Sequence, residues 1–192
     1  MRFPEVTLRL PGWVEDLLED KVYPTVEDRM RLAIELSRTN VHSGTGGPFG
    51  AAIFERETGR LIAPGINLVT SLACSVFHAE MVAFMVAQQR VGDFDLGGPG
   101  HPSYELVAST QPCAMCLGAT PWSGVRHLVC GASAEDAEEI GFDEGMKPAH
   151  WIRSLEERGI TVEQDVLRDE AASVLREYAE RGGEIYNSRQ GE

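Results

Sequence analysis

Apolar and polar positions along the chain follow two periods, and the switches between them mark out the elements. From Pro11 to Asp20, Trp13, Val14, Leu17 and Leu18 share one side of a short amphipathic helix. Val26, Met30, Ala33, Ile34 and Val41 then recur at helical spacing. Thr25 precedes that run as an N-cap, with Asp28 three residues on in a capping-box arrangement. The turn-rich Ser43-Gly44-Thr45-Gly46-Gly47-Pro48 stretch ends it. Two strand-like runs follow, Gly50 to Glu55 and Leu61 to Asn67, and Glu57-Thr58-Gly59 between them predicts a hairpin. A helix starts near His78, and its Met81 to Ala87 run, apolar all round, predicts burial.

Gly92 to Pro102 reads as a loop and Glu105 to Ser109 as the third strand. Thr110-Gln111-Pro112 opens a short helix that Pro121 limits, and His127 to Gly131 is the fourth strand. Ser133 with Asp136 repeats the capping-box pattern for a helix near Ala134. Ala149 to Arg158 is helical by composition, and Thr161 to Leu167 reads as a fifth strand. Asp169 to Arg181 is a last helix, with Ala171, Val174, Leu175 and Tyr178 on one face and Gly182-Gly183 as its stop. Helix, hairpin, then alternating helix and strand predict an α/β fold: a mixed, mostly parallel sheet with helices on both faces. Periodicity does not give the strand order.

Composition narrows the class. With 192 residues and no internal repeat or linker, one domain is expected over 1–192, with 1–22 as an N-terminal extension and 183–192 as a C-terminal tail. No segment approaches the roughly 20 apolar residues that span a bilayer, and Met1 to Asp20 has no continuous apolar core. A cytoplasmic protein without a membrane partner is expected. The net charge is -13, with 17 basic residues facing 30 acidic ones and no basic run. That balance disfavours nucleic acid as a partner and favours a small uncharged substrate. Solubility alone also accounts for it.

The chemistry concentrates in two short motifs. His78-Ala79-Glu80 is followed at a distance by Pro112-Cys113-Ala114-Met115-Cys116. A lone histidine at a helix start is usually a hydrogen-bonded core residue, and a lone Cys-x-x-Cys reads equally as a redox pair. Together, one His and two Cys supply three ligands, the count of a catalytic zinc that keeps its fourth position for water. Cys113 and Cys116, three apart at a helix start, can turn both sulfurs the same way, where the helix dipole favours thiolates. Glu80, two residues from His78, is near the metal yet free to move protons. A structural zinc would need a fourth ligand, for which Cys74, Cys130 and His127 are available. Cys74 and Cys130 read instead as ordinary loop and core cysteines.

His-x-Glu with Pro-Cys-x-x-Cys is the signature of the zinc-dependent nucleobase deaminases. From about Gly47 to Gly131 the chain resembles the cytidine deaminase-like superfamily, through Gly47-Pro48-Phe49-Gly50, Gly65-Ile66-Asn67, the two zinc motifs and Leu117-Gly118-Ala119. Within it, Ile140-Gly141-Phe142-Asp143-Glu144-Gly145 resembles the segment by which bacterial guanine deaminases bring a second acidic residue to the purine. The resemblance implies a three-layer α/β/α fold, five strands in order 2-1-3-4-5, Zn2+ as cofactor, and a homodimer. It implies deamination of a free nucleobase, guanine to xanthine, with His78, Cys113 and Cys116 on the metal and Glu80 and Glu144 as catalytic groups. Asp143 and Asn67 become substrate-binding candidates, Asn67 by matching the family asparagine that bonds the base. Phe49 and Trp122 are aromatic candidates for the pocket wall, with core packing as the alternative for each. A C-terminal tail can close over a site in related enzymes, which draws attention to Ile185, Tyr186 and Asn187; no catalytic role is assigned to them.

Other readings stay open on the sequence. Ammeline or another aminotriazine, cytosine, cytidine or a pterin would suit the same chemistry. A tRNA adenosine deaminase shares the zinc motifs, against the acidic balance. A noncatalytic zinc-binding, RNA-interacting module has no use for Glu80, and a thiol redox protein would rest on Cys113 and Cys116 alone.

Overall fold

The computed structural model describes residues 3–18 and 22–187. The expected extension at 1–22 and tail at 183–192 therefore lie partly outside the described residues. Helix α1 spans Gly12–Leu17, and α2 spans Val26–His42. A complete Thr25–Asp28 capping box starts α2, each side chain bonding the other residue's backbone N–H. Strands β1 (Gly50–Glu55) and β2 (Arg60–Ile66) form the antiparallel hairpin. A four-residue helix, α3 (Val69–Leu72), then leads to α4 (Ala79–Val91). Next come β3 (Tyr104–Thr110), α5 (Ala114–Ser123), β4 (His127–Ala132), α6 (Ala134–Glu139), α7 (Trp151–Glu156), β5 (Thr161–Glu163) and α8 (Arg168–Glu180).

The sheet order is 2-1-3-4-5. β1 runs antiparallel to both β2 and β3, while β3–β4 and β4–β5 are parallel. Parallel and antiparallel pairings are thus equal in number, which corrects the expected parallel majority. The reason is geometric: β2 and β3 share a direction but flank β1, so α4 crosses over β1 to join them. Alternation along the strands feeds two cores. Ala52, Phe54, Val107 and Val129 pack with residues of α2 and α8, including Met30 and Leu175. Ala51, Ile53, Leu106 and Leu128 pack with Ala83, Leu117 and Leu155 of α4, α5 and α7. The helices therefore cover both faces, and β3 is buried at all seven positions.

Several local expectations change. β5 is only three residues long, because Asp165 and Leu167 take left-handed backbone angles, φ 60 and 52, that no strand can contain. Pro121 lies inside α5 instead of ending it, and Pro112 precedes the helix, whose N-cap is Cys113. α4 is not buried all round, since Met81, Met85 and Val86 are partly exposed. Its start is pressed onto the sheet at Gly65, where a Cβ would lie 2.1 Å from the Ala79 carbonyl oxygen. That close approach fixes the first turn of α4 against the end of β2.

Candidate active site

Two helix starts meet at the end of the sheet where β3 and β4 finish. His78 is the N-cap of α4, Cys113 is the N-cap of α5, and Cys116 sits one turn into α5. The two first turns lie side by side, so motifs 35 residues apart in sequence come together. His78 Nδ1 lies 3.5 Å from Cys113 Sγ and 3.6 Å from Cys116 Sγ. All three ligand atoms fall within 4.8 Å of one another. One imidazole and two thiols, placed so, fit zinc, a borderline-soft ion that favours nitrogen and sulfur. Cys74, Cys130 and His127 are outside the cluster, and His127 instead hydrogen-bonds Thr161. Three ligands is the count of a catalytic site.

The two sulfurs divide one proton. The Cys116 thiol donates to Cys113, and this bond, aided by His78, pulls Cys113 down to about 4. The same contact, with burial, pushes Cys116 well above the ordinary thiol range. Metal binding must therefore expel the Cys116 proton.

Two carboxyls stand beside the cluster. Glu80, in the first turn of α4, is 7% exposed, and its burial pushes its pKa up to about 6, with the Cys113 charge adding to the rise. Glu144 is 5% exposed, on the segment after α6. Burial drives it higher still, to about 8, against the pull of the Lys147 ammonium. Its Oε2 has no hydrogen-bond partner, and Lys147 Nζ is 3.6 Å away. The Glu144 carbonyl accepts from Ala114 N at 2.9 Å, which docks this segment on the first residue of α5.

These groups line a cavity of about 180 Å³ with Phe49, Gln111, Asp143 and Tyr186. Phe142 forms its aromatic wall, with ring centroids 4.9 Å from Phe49 and 5.0 Å from Tyr186. Asp143 sits at the rim, its carboxylate accepting from Gly145 N at 2.8 Å. Asn67 is fully buried: its backbone N donates to Phe49 O, and its Oδ1 accepts from Val69 N. Its Nδ2 finds no partner among the described residues. A larger cleft of about 670 Å³, against α2 beside Arg31 and Glu170, holds none of these groups.

Trp122 is a correction. It is 84% exposed and lines a separate groove with Pro148 and Trp151. Six residues beyond Cys116, at about 100° per residue, it points away from the sulfurs. The described part of the tail, in turn, lies over the cavity of its own chain. Asn187 accepts from Asp143 N at 2.9 Å and donates to Gly141 O at 2.8 Å. Tyr186 fits beneath because residue 47 is glycine, where a Cβ would stand 2.4 Å from the tyrosine hydroxyl. Gln111 was not singled out by the sequence reading, although its place just before Pro112-Cys113 at the end of β3 was a usable signal.

Comparisons with known proteins agree with this geometry. The family model for the cytidine and deoxycytidylate deaminase zinc-binding region matches residues 24–132. The guanine deaminase of Bacillus subtilis (strain 168) is 34% identical over 143 residues, covering 74% of this chain and 87% of that protein. A solved guanine deaminase from Nitrosomonas europaea superposes with a TM-score of 0.88 at 47% identity, over 92% of this chain and 97% of that one. A structure solved in complex with 2,6-diaminopurine gives a TM-score of 0.89 at 48% identity, over 95% and 97%.

Proposed function

Because this chain belongs to the cytidine and deoxycytidylate deaminase zinc-binding family, we propose that it hydrolyses free guanine to xanthine and ammonia. The chain is a zinc-dependent aminohydrolase. The observation that carries the guanine assignment is the second buried carboxyl. Glu144 shares a small cavity with Glu80 and the metal-ligand residues His78 and Cys113. The relatives named above are guanine deaminases, and a diaminopurine complex stands among the solved structures. At about 180 Å³ the cavity is below the ~300–1,000 Å³ of drug-sized sites, which suits a bare heterocycle.

The reaction exchanges the bond from C2 to the amino nitrogen for a bond to a water oxygen. When bound, the metal supplies Lewis-acid activation of that water, lowering its pKa to about 7. Glu80, ionised above about pH 6, takes a proton from the water and hands it to a ring nitrogen. Glu144, whose burial holds its proton above the ordinary carboxyl range, protonates the departing amine and is restored by the proton that the new C2 hydroxyl releases as it becomes the carbonyl. Two carboxyls whose surroundings push their pKa values apart thereby divide the roles of base and acid. The free Asn67 Nδ2 donates to the purine edge, and Phe49 packs against the ring. Asp143 helps to hold the base at the rim.

The test is ammonia release by zinc-loaded protein from guanine, guanosine, adenine, cytosine, cytidine, ammeline and an adenosine-containing tRNA stem-loop. Guanine turns over fastest, and the activity disappears in Glu80→Ala. Dominant turnover of another ring, or of the stem-loop, overturns the guanine assignment.

The same reading takes residues 1–192 as one deaminase domain of a cytoplasmic homodimer in purine metabolism. Among the described residues Trp122 and Met146 are 84% and 98% exposed, apolar surface that a second subunit would cover. No helix among the described residues is long and apolar enough to cross a membrane, and reduced thiols suit a reducing compartment. Light scattering that finds only a monomer at micromolar concentration would remove the dimer.

A further inference from the structure

Of the 17 basic residues only Lys21 and Lys147 are lysines; the rest are arginines. Lys147 is also the basic group at the site. Its side chain is 13% exposed, so the ammonium is largely withdrawn from water. Withdrawal of a charge is costly unless it is paired. Here it has two partners on two different connecting segments. Nζ lies 3.6 Å from Glu144 Oε2 and donates to the Pro112 carbonyl at 3.3 Å. Pro112 immediately precedes the metal-ligand residue Cys113, and Glu144 is the carboxyl assigned to proton transfer. The backbone bond from Ala114 N to Glu144 O joins the same two segments 2.9 Å apart. One ammonium therefore sits at the junction of the metal turn and the acid-bearing loop. An ammonium is a compact charge with three rotatable donors, able to serve both acceptors in this narrow place.

We propose that Lys147 is a positioning residue for deamination, its ammonium holding the Glu144 carboxyl in a fixed place relative to the metal-ligand turn at Pro112–Cys113. It is not among the residues that line the cavity and acts through Glu144. The backbone bond from Ala114 sets where the segment docks; Lys147 sets where the Glu144 side chain points. Without it, the buried Oε2 would lack any charged neighbour within salt-bridge distance among the described residues. The carboxyl would then be free to leave the position from which it reaches the departing amine. This inference rests on the guanine deaminase reading above.

The test is a double-mutant cycle on zinc-loaded protein, with kcat, KM and zinc content measured for wild type, Lys147→Met, Glu144→Gln and the double variant. Outer partners of metal-site groups typically contribute about 10–100-fold to activity. Lys147→Met accordingly loses about tenfold or more in kcat for guanine, with KM and zinc content close to wild type. In the Glu144→Gln background the same change costs less than about twofold, because the group through which it acts is already gone. A purely structural lysine would multiply its loss onto either background, and that result overturns the proposal. Lys147→Gln, which keeps a donor for Pro112 but not the charge, is the second variant. Wild-type kcat in Lys147→Gln, or activity lost only in step with zinc, also overturns it. A wild type silent on guanine overturns the functional reading and this inference together, whereas an active wild type with an unaffected Lys147→Met overturns this inference alone.

Discussion

Glu80 and Glu144 are chemically the same side chain, and their surroundings separate them. Both are desolvated, but Glu144 is pushed to about 8 and Glu80 only to about 6. A proton-transfer group contributes typically about 10²–10⁴-fold. Glu80→Gln should therefore lose at least about a hundredfold in kcat while binding a full equivalent of zinc, measured by metal analysis beside steady-state kinetics. The cysteine pair leads to a second expectation. Cys113 is the thiolate and Cys116 the thiol, so zinc uptake near neutral pH releases at least the Cys116 proton, to which His78, its pKa raised against burial by the bond to Cys113, adds any proton it holds. Calorimetry in buffers of different ionisation enthalpy reads that number directly, and zero would contradict the shared-proton arrangement. The metal cluster was legible in the sequence because two of its ligands, Cys113 and Cys116, lie within one helical turn of each other and the third, His78, sits in a short motif with Glu80. Tyr186 and Asn187 reach the site by tertiary contact across more than 40 positions, for instance Asn187 to Asp143, and no local pattern encodes that. Trp122 misled for the opposite reason: it is near Cys116 in sequence but on another side of α5.

Elements whose limits depend on short-range chemistry were read well. Both capping boxes, Thr25–Asp28 and Ser133–Asp136, start their helices as the spacing predicts, and the hairpin closes at Glu57–Gly59. The left-handed Asp165 and Leu167 that cut β5 short, and the brief α3, follow from tertiary packing that intrinsic propensity does not report. What holds α2 to the sheet was equally hidden. Arg29 forms a buried ion pair with Glu105 of β3, the two side chains 8% and 4% exposed, and its Nε and Nη2 donate to Tyr23 O and Arg56 O. Breaking such a pair strands a buried charge, at a cost of about 3–5 kcal/mol. Arg29→Met should lower the unfolding free energy by that amount in urea titration, and adding Glu105→Leu should recover part of it. The tail offers a separate check. Gly47→Ala places a methyl against Tyr186, so the tail should leave the cavity and the bond after Tyr186 become cleavable by chymotrypsin under native conditions. Tail protection equal to wild type would show that Tyr186 adapts without leaving.

The whole chain carries a net charge of -13, and its self-repulsion grows as pH rises. A comparison between two nearly identical proteins cancels that background and exposes one buried acid. Glu144 has a folded pKa of about 8 against an ordinary value of 4.5. Between those values the folded chain holds a proton that the unfolded chain has given up. Raising the pH through that window therefore favours the unfolded state, with the penalty starting near 4.5 and complete above about 8. Glu144→Gln removes the titration while keeping the shape. In metal-free protein the variant should gain stability relative to wild type from pH 5 to about pH 8 and level off above it, as followed by urea unfolding at each pH. Zinc should shrink the difference, because a dication beside the carboxylate favours its charged form. A wild type that instead gains on the variant with rising pH would mean that Glu144 is ionised and well paired in the folded chain. It would then have to surrender the role of acid, and the departing amine would take its proton from Glu80.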